Sequence, residues 1–263
     1  MSQIDGYTRF VNRPLGKQIA RTIGLPKPVP LRRYTKGDRL VDGPILVVGT
    51  SPAAEAVAKQ LWADEYDVRR DPGLKQTFAA IIVALDDVTH PADLSERVRE
   101  VGAALRGLEA NGRVLTIFRD PEDPTVVTDA SVVAARHGVE GFTRSLGKEM
   151  RRGATANGIQ LADSVDMSAP SAQAALRFLL SGRSAYVAGQ FVKVTSSAGT
   201  VPADWNNPLA EKVIIVTGAA RGIGEAISEV LARDGATVIG VDVPSAGESL
   251  TKVMNRVAGI AVQ

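Results

Sequence analysis

From Pro44 onward the chain alternates between two hydrophobic periods. Short, wholly apolar runs fit buried strands, and longer stretches carry apolar residues at helical spacing. The strand-like runs are Ile45–Val48, Phe78–Leu85, Arg113–Phe118, Ile159–Ala162 and Gln190–Thr195. Between them, Ala53–Tyr66 places Ala54, Val57, Ala58, Leu61 and Trp62 on one helical face. Leu94–Ala110 is amphipathic with Asn111-Gly112 as its stop signal, and Ser131–Arg151 and Ala172–Leu180 complete the predicted helices. Strands alternating with helices imply a parallel sheet covered on both faces, an α/β three-layer sandwich. Val201–Leu209, with Pro202, Trp205, Asn206, Asn207 and Pro208, has the composition of a linker. A second β–α–β unit then begins, with Lys212–Val216, Ile223–Ala232 and Thr237–Val241 as its elements. The predicted organisation is an arm over 1–43, a domain over 44–200, a linker over 201–210 and the first part of another domain over 211–263.

Charge separates the arm from the rest. Residues 1–43 carry nine Lys or Arg against three acidic residues, while the remainder is net acidic and the whole chain sums to +2. The alternating prolines of Leu25-Pro26-Lys27-Pro28-Val29-Pro30 predict an extended, polyproline-like course ahead of Leu31-Arg32-Arg33. Such an arm suits an acidic partner (nucleic acid, an acyl carrier protein, coenzyme A phosphates) or packs on its own domain through Ile19, Ile23, Leu25 and Leu31. Sparse aromatic residues in the arm argue against nucleic acid.

Composition narrows the chemistry. There is no cysteine, which excludes disulfides, thiolate metal sites and a Cys nucleophile. Two histidines, His90 and His137, leave little for a metal cage, and no metal site is expected. The N-terminus lacks a basic-then-apolar leader, and no apolar run approaches the ~18 residues of a membrane span. A cytoplasmic protein is the expectation. A length of 263 residues is about one and a half domains at roughly 100–200 residues each. Residues 211–263 offer about two strands and one and a half helices, too little to bury a sheet on both faces, and are expected to be poorly ordered.

The strongest chemical signal is Val213-Ile214-Ile215-Val216-Thr217-Gly218-Ala219-Ala220-Arg221-Gly222-Ile223-Gly224. A buried strand runs into a glycine turn that opens a helix. Gly218 permits the tight turn, Gly222 lets the backbone approach a pyrophosphate, and Gly224 allows close helix–strand packing. The helix N-terminus offers unpaired N–H groups and partial positive charge to phosphates. Asp242 follows at the end of the next strand, where a carboxylate accepts hydrogen bonds from ribose hydroxyls and repels a 2′-phosphate. Thr217, Gly218, Arg221, Gly222, Ile223, Gly224, Asp242 and Val243 are the candidate cofactor-binding residues, with NAD(H) favoured and NADP(H) as the alternative.

Thr217-Gly218-Ala219-Ala220-Arg221-Gly222-Ile223-Gly224 followed by Glu225-Ala226-Ile227 resembles the first β–α unit of the short-chain dehydrogenase/reductase family, most like its 3-oxoacyl-[acyl-carrier-protein] reductases. The resemblance covers residues 211–263. In that family an arginine in the glycine loop often accompanies NADPH, so Arg221 and Asp242 pull in opposite directions; Asp242 acts directly at the 2′ position.

The first domain reads as an eroded copy of the second. Val48-Gly49-Thr50-Ser51 matches Thr217-Gly218-Ala219-Ala220, and after a one-residue gap Pro52-Ala53-Ala54-Glu55-Ala56-Val57 matches Gly222-Ile223-Gly224-Glu225-Ala226-Ile227. Pro52 and Ala54 replace two glycines, so nucleotide binding is not expected at this copy. Gly141-Phe142-Thr143-Arg144-Ser145-Leu146-Gly147-Lys148-Glu149 is similar to the segment after the family's Tyr-x-x-x-Lys pair. Counting back, the Lys position is Arg136, the Tyr position Val132 and the Ser position Arg119. The family's Asn-Asn-Ala-Gly turn falls on Ala84-Leu85-Asp86-Asp87. With a shortened passage from Gly49 to Ala84, the first domain should be a degenerate Rossmann or flavodoxin-like fold without an active site.

An eroded copy, a linker and an intact glycine turn form the layout of the two-domain, high-molecular-weight members of these reductases. That resemblance implies an NAD(H)-dependent reductase of 3-oxoacyl thioesters, carried by acyl carrier protein or coenzyme A, in fatty-acid metabolism. It implies catalytic Ser, Tyr and Lys beyond residue 263, no catalytic residue within it and no turnover by residues 1–263 alone. It also implies a homodimer, because such reductases pair through the helices whose counterparts are Leu94–Ala110 and Ser131–Arg151. The competing reading is a non-catalytic scaffold or interaction protein, or an inactive fragment. Neither reading calls for a membrane or nucleic acid, and neither histidine has partners in sequence that would make it catalytic.

Overall fold

In the computed structural model, described at residues 6–11, 13–22, 29–73, 75–123 and 129–263, the apolar runs become parallel strands in two separate sheets. The chain divides into two units. Unit 1 comprises residues up to Thr35 and Arg39–Thr200, and unit 2 comprises Lys36–Asp38 and Val201–Gln263. Lys36–Asp38, counted with the arm in sequence, therefore belong with unit 2, where Lys36 Nζ donates to Asn207 Oδ1 at 2.5 Å.

Unit 1 carries helices α1 (Gly6–Val11) and α2 (Pro14–Thr22) ahead of its sheet, two elements for which the sequence of the arm gave no expectation. The proline stretch 23–28 lies outside the described residues. The stretch 29–35 has no regular structure and is tied to unit 1. Arg32 N donates to Asn111 Oδ1 at 3.1 Å, Asn111 Nδ2 donates to Pro30 O, and Arg32 Nε pairs with Asp42 at 2.9 Å. A Cβ on Gly182 would stand 2.6 Å from Tyr34 N, so only glycine admits the arm this close. Ile19, one of the residues expected to hold the arm down, is exposed.

The sheet of unit 1 has the order β2-β1-β3-β4-β5-β6, all parallel, from β1 (Ile45–Val48), β2 (Val68–Arg69), β3 (Phe78–Ala84), β4 (Leu108–Arg119), β5 (Thr155–Leu161) and β6 (Phe191–Val194). This is the flavodoxin-like order of a doubly wound sheet. One face buries β1, β3 and β5 side chains under α3 (Pro52–Ala63) and α6 (Pro170–Leu180). The other buries Leu46, Val48, Ile81, Val83 and Phe118 under α4 (Leu94–Ala104) and α5 (Ala130–Glu149). The expected α/β three-layer sandwich is the observed one.

Four details depart from the hydrophobic pattern. Trp62 is 50% exposed, because it lies one 100° step past Leu61 and one residue from the end of α3. Helix α4 stops at Ala104 rather than Ala110. Gly107 passes against Gln76, where a Cβ would meet the carbonyl at 2.2 Å, and Leu108 then pairs with Phe78 in the sheet. Asn111, expected to stop a helix, instead sits at φ 59° within β4, its N–H bonded to Arg152 O. β5 starts at Thr155, four residues before Ile159, because the buried Asn157 is satisfied by Val187 O and Gln190 N. A strand residue with both amide ends paired has no apolar signature.

Arg113, on β4, is buried and pairs with no carboxylate among the described residues. Its Nη1 donates to Asn111 O and Gly112 O, while Nε has no hydrogen-bond partner. Burial, and secondarily the nearby Arg32 charge, push its guanidinium down to about 10. A cation with a depressed folded value binds its proton less readily in the fold than in the unfolded chain. It therefore weighs against stability at neutral pH, and the burden lifts as pH rises above about 10. Arg113→Met is expected to raise the unfolding free energy by roughly 1–3 kcal/mol in urea titration at pH 7, since an apolar side chain avoids the desolvation of the charge. A lower unfolding free energy would show that the two carbonyl bonds outweigh it.

Unit 2 is a β–α–β–α–β unit: β7 (Val213–Thr217), α7 (Gly222–Arg233), β8 (Thr237–Val241), α8 (Gly247–Arg256) and β9 (Ile260–Val262), in sheet order β7-β8-β9. This is three strands and two full helices, more than the two strands and one and a half helices read from the sequence. The loop-like 201–210 stretch packs back on it, with Leu209 N bonded to Asp234 O and Lys212 N to Leu209 O. Both helices cover the same sheet face, where Val216, Val238, Leu250, Val253 and Met254 are buried. The opposite face is bare: Val213 is 65% and Ile215 66% exposed, continued by Ile260 and Val262.

Candidate functional site

The glycine turn of unit 2 joins β7 to α7. Gly218 lies at φ 65° and Gly222 at φ 62°, and at both a Cβ would meet nothing within 4 Å. Backbone conformation selects glycine at these two positions. Gly224 is selected differently: a Cβ there would stand 2.1 Å from Gly218 O, so α7 can close on the turn only without one. Ala219 and Ala220 are buried beneath the turn, and Ala219 N reaches Val241 O at 3.3 Å.

Arg221, the residue before α7, is extended and makes no side-chain cap. The first N–H groups of α7 thus lack a side-chain acceptor from the cap position, which leaves them and the positive end of the helix dipole for an anion. Asp242 stands at the end of β8, and its Oδ2 accepts from Ala220 N at 2.9 Å while Oδ1 accepts from Val243 N at 2.8 Å. These backbone donors, with Arg221 adding attraction, hold the Asp242 carboxyl below its usual range. The group is ionised at neutral pH. Any stability it lends is present above the ordinary carboxylate range and is lost as pH falls through the lowered value. The structure brings Thr217, Gly218, Arg221, Gly222, Ile223, Gly224, Asp242 and Val243 together at the C-terminal ends of β7 and β8, the edge where open parallel sheets bind ligands.

The corresponding place in unit 1 is occupied by protein. Ser51 Oγ accepts from Ala54 N and donates to Asp86 Oδ1, and Asp86 Oδ2 accepts from Ala53 N at 3.3 Å. Arg70, just past β2, donates to Gly49 O and pairs with Glu55 at 2.8 Å. Pro52 at the start of α3 has no N–H to offer. Sequence comparison missed Ser51, Asp86 and Arg70 as fillers of the turn. The polar spacing Ser51-x-x-Ala54 at a helix start was the available signal for the cap alone.

The three positions aligned with a catalytic Ser, Tyr and Lys have structural duties. Arg136 is buried, donates through Nη1 to Asp120 O at 2.9 Å, and sets Nη2 3.0 Å from Asp163 Oδ1. Arg119 donates to Ala162 O and Val165 O. Val132 is partly buried and has no titratable group. His90 Nδ1 accepts from Ala92 N at a helix start, and exposed His137 lies 3.3 Å from Glu140 on α5. Among the described residues, no cluster of His, Asp and Glu is arranged to hold a metal, and no helix is long and apolar enough to cross a membrane.

Comparison with known proteins singles out unit 2 in sequence. The family model described as short chain dehydrogenase matches residues 212–261. No curated protein matches the chain. Among solved structures, BdcA in complex with NADPH is similar at 14% identity and a TM-score of 0.45, covering 61% of this chain and 96% of that one. Thermoplasma acidophilum aldohexose dehydrogenase is similar at 13% identity and a TM-score of 0.42, covering 59% and 93%. A Serratia marcescens short-chain dehydrogenase/reductase mutant is similar at 14% identity and a TM-score of 0.46, covering 58% and 95%. Over residues 212–261, then, the chain is similar to the short chain dehydrogenase family model.

Proposed function

We propose that unit 2 binds a nicotinamide dinucleotide and that the protein serves hydride transfer to a 3-oxoacyl thioester, giving the 3-hydroxyacyl product. The observation that carries this reading is the uncapped start of α7 beside an Asp242 carboxylate held by Ala220 N. Gly218, Gly222 and Ile223 line the approach of the pyrophosphate, with Thr217 below the turn and Arg221 beside it. Asp242 accepts from the adenosine ribose hydroxyls, and Val243 flanks the adenine. When bound, the nicotinamide supplies the hydride. Asp242 favours NAD(H) over NADP(H), because an anion at the ribose repels a 2′-phosphate. The substrate carrier is an acyl carrier protein or coenzyme A, in fatty-acid metabolism and in the cytoplasm.

No Tyr-x-x-x-Lys occurs in the 263 residues. These residues are therefore assigned the nucleotide site of the proposed reaction and not its proton donor. Residues 1–263 should accordingly bind nucleotide without reducing a 3-oxoacyl thioester; measured turnover by that chain would overturn this assignment. The direct test of the site is fluorescence titration with NADH and NADPH. NADH should bind more tightly, and Asp242→Ala should narrow or reverse the ratio. Equal binding of both nucleotides to the unaltered protein would remove the role given to Asp242.

A second reading is that unit 1 acts as an internal pseudo-partner, supported by its filled nucleotide turn and its structurally committed Arg119 and Arg136. Helix α5 exposes small residues, Ala134, Gly141 and Ser145, that permit close helix approach. A homodimer is the expected assembly. Light scattering that finds a monomer or a tetramer would contradict it.

A further inference from the structure

We propose that Asp86 is the built-in anion of unit 1, a carboxylate that stands in the phosphate position of the eroded turn and makes unit 1 independent of nucleotide. The two units provide the comparison within one chain. In unit 2 the helix after the turn has no side-chain cap, and the three glycines keep the approach free of Cβ atoms. In unit 1 the equivalent helix, α3, is closed by a relay: Ala54 N donates to Ser51 Oγ, and Ser51 Oγ–H donates to Asp86 Oδ1. The other carboxylate oxygen takes Ala53 N. Ser51 is 3% exposed and Asp86 partly buried, so the relay runs from the protein interior to the mouth of the turn.

Asp86 comes from the end of β3, the neighbour of β1, and its carboxylate reaches the first turn of α3 from across the sheet edge. A negative group there meets the same N–H donors and helix dipole that attract a phosphate. Arg70 fills the adjoining space, donating to Gly49 O with its charge balanced by Glu55. Pro52 removes one N–H that a phosphate would have used and leaves the remaining donors to Asp86 and Ser51. The loss of glycines and the gain of an internal acid are thus two parts of one change: the turn has exchanged an external anion for a covalently attached one.

The experiment uses the full chain with Asp86→Ala, which opens the anion position, and Asp86→Asn, which retains shape without charge. Unfolding of unit 1 is followed by hydrogen exchange at the Ala53 and Ala54 amides, in chloride and in inorganic phosphate at matched ionic strength. Asp86→Ala should lower the unfolding midpoint in chloride by about 3–6 °C, and phosphate should recover a large part of that loss. The unaltered protein should show no such phosphate-specific gain. Phosphate should also shift the Ser51, Ala53 and Ala54 amide resonances in Asp86→Ala. If Asp86→Ala does not fold, Asp86→Asn carries the test through its charge: it should lose stability because the amide is neutral, with a weaker phosphate gain because its side chain still fills the position. A variant as stable as the parent, or a loss equally deep in both salts, would overturn the proposal. Nucleotide binding by unit 2 does not enter this readout, so the inference stands or falls apart from the function proposed above.

Discussion

Gly224→Ala is expected to abolish measurable nucleotide binding, lowering affinity by about 100-fold or more, equivalent to roughly 2.7 kcal/mol. The added Cβ would stand 2.1 Å from Gly218 O and 2.7 Å from Gly218 C, both backbone atoms of the turn. No side-chain rotation relieves that contact. Either α7 moves off β7 or the Gly218 peptide turns, and both displace the N–H groups that would face the phosphates. Gly222→Ala provides the contrast. A Cβ there meets nothing within 4 Å, and only its φ of 62° is unfavourable. That conformational cost is about 1–2 kcal/mol, so a roughly 5–30-fold loss is expected. Isothermal titration with NADH on both variants separates steric from conformational demand. Equal effects would show that the close approach of Gly224 to Gly218 does not control the site.

Arg136→Ala is expected to destabilise unit 1 by about 3–5 kcal/mol, because it leaves the Asp163 carboxylate without its cation inside the protein. Arg136 ties the end of β4 to the loop after β5. It donates to Asp120 O at 2.9 Å and reaches both oxygens of Asp163, at 3.0 and 3.1 Å. Asp163 N is in turn held by Asp123 Oδ2 at 2.9 Å. Arg136→Lys keeps the charge but loses the fork that serves a carbonyl and a carboxylate at once, so a smaller loss is expected. Urea titrations of Arg136→Ala, Asp163→Ala and the double variant form a cycle. A coupling near zero would mean that Arg136 acts through the Asp120 carbonyl alone. The same residue aligns with the lysine of a catalytic pair, so a large structural cost there would show that this position has passed from catalysis to scaffolding.

The alternation of elements was legible because buried parallel strands have few alternatives to continuous apolar runs: Phe78–Ala84 is buried along its whole length and has no polar residue to confuse the reading. The glycine turn was legible for a related reason. Gly218 and Gly222 answer to local φ, a property written in the residues themselves. Boundaries were less legible where a distant partner decided them. Asn157 joins β5 because Val187 and Gln190, some thirty residues away, satisfy its amide. Leu108 leaves helix for sheet because Phe78 pairs with it. The helices α1 and α2 went unread because the prolines and positive charge of the arm outweighed its short helical periods.

The sequence by itself determined that the chain alternates strands with helices, that one glycine turn is intact and one eroded, and that Asp242 follows the intact turn. These are local properties of period, backbone freedom and spacing. The tertiary structure alone decided what became of the eroded turn. Side chains from three separate elements, Ser51, Arg70 and Asp86, meet there, and no local pattern announces a meeting across the sheet edge. It also decided that both helices of unit 2 cover one face and leave Val213 and Ile215 exposed on the other, because crossover handedness is a property of the assembled sheet.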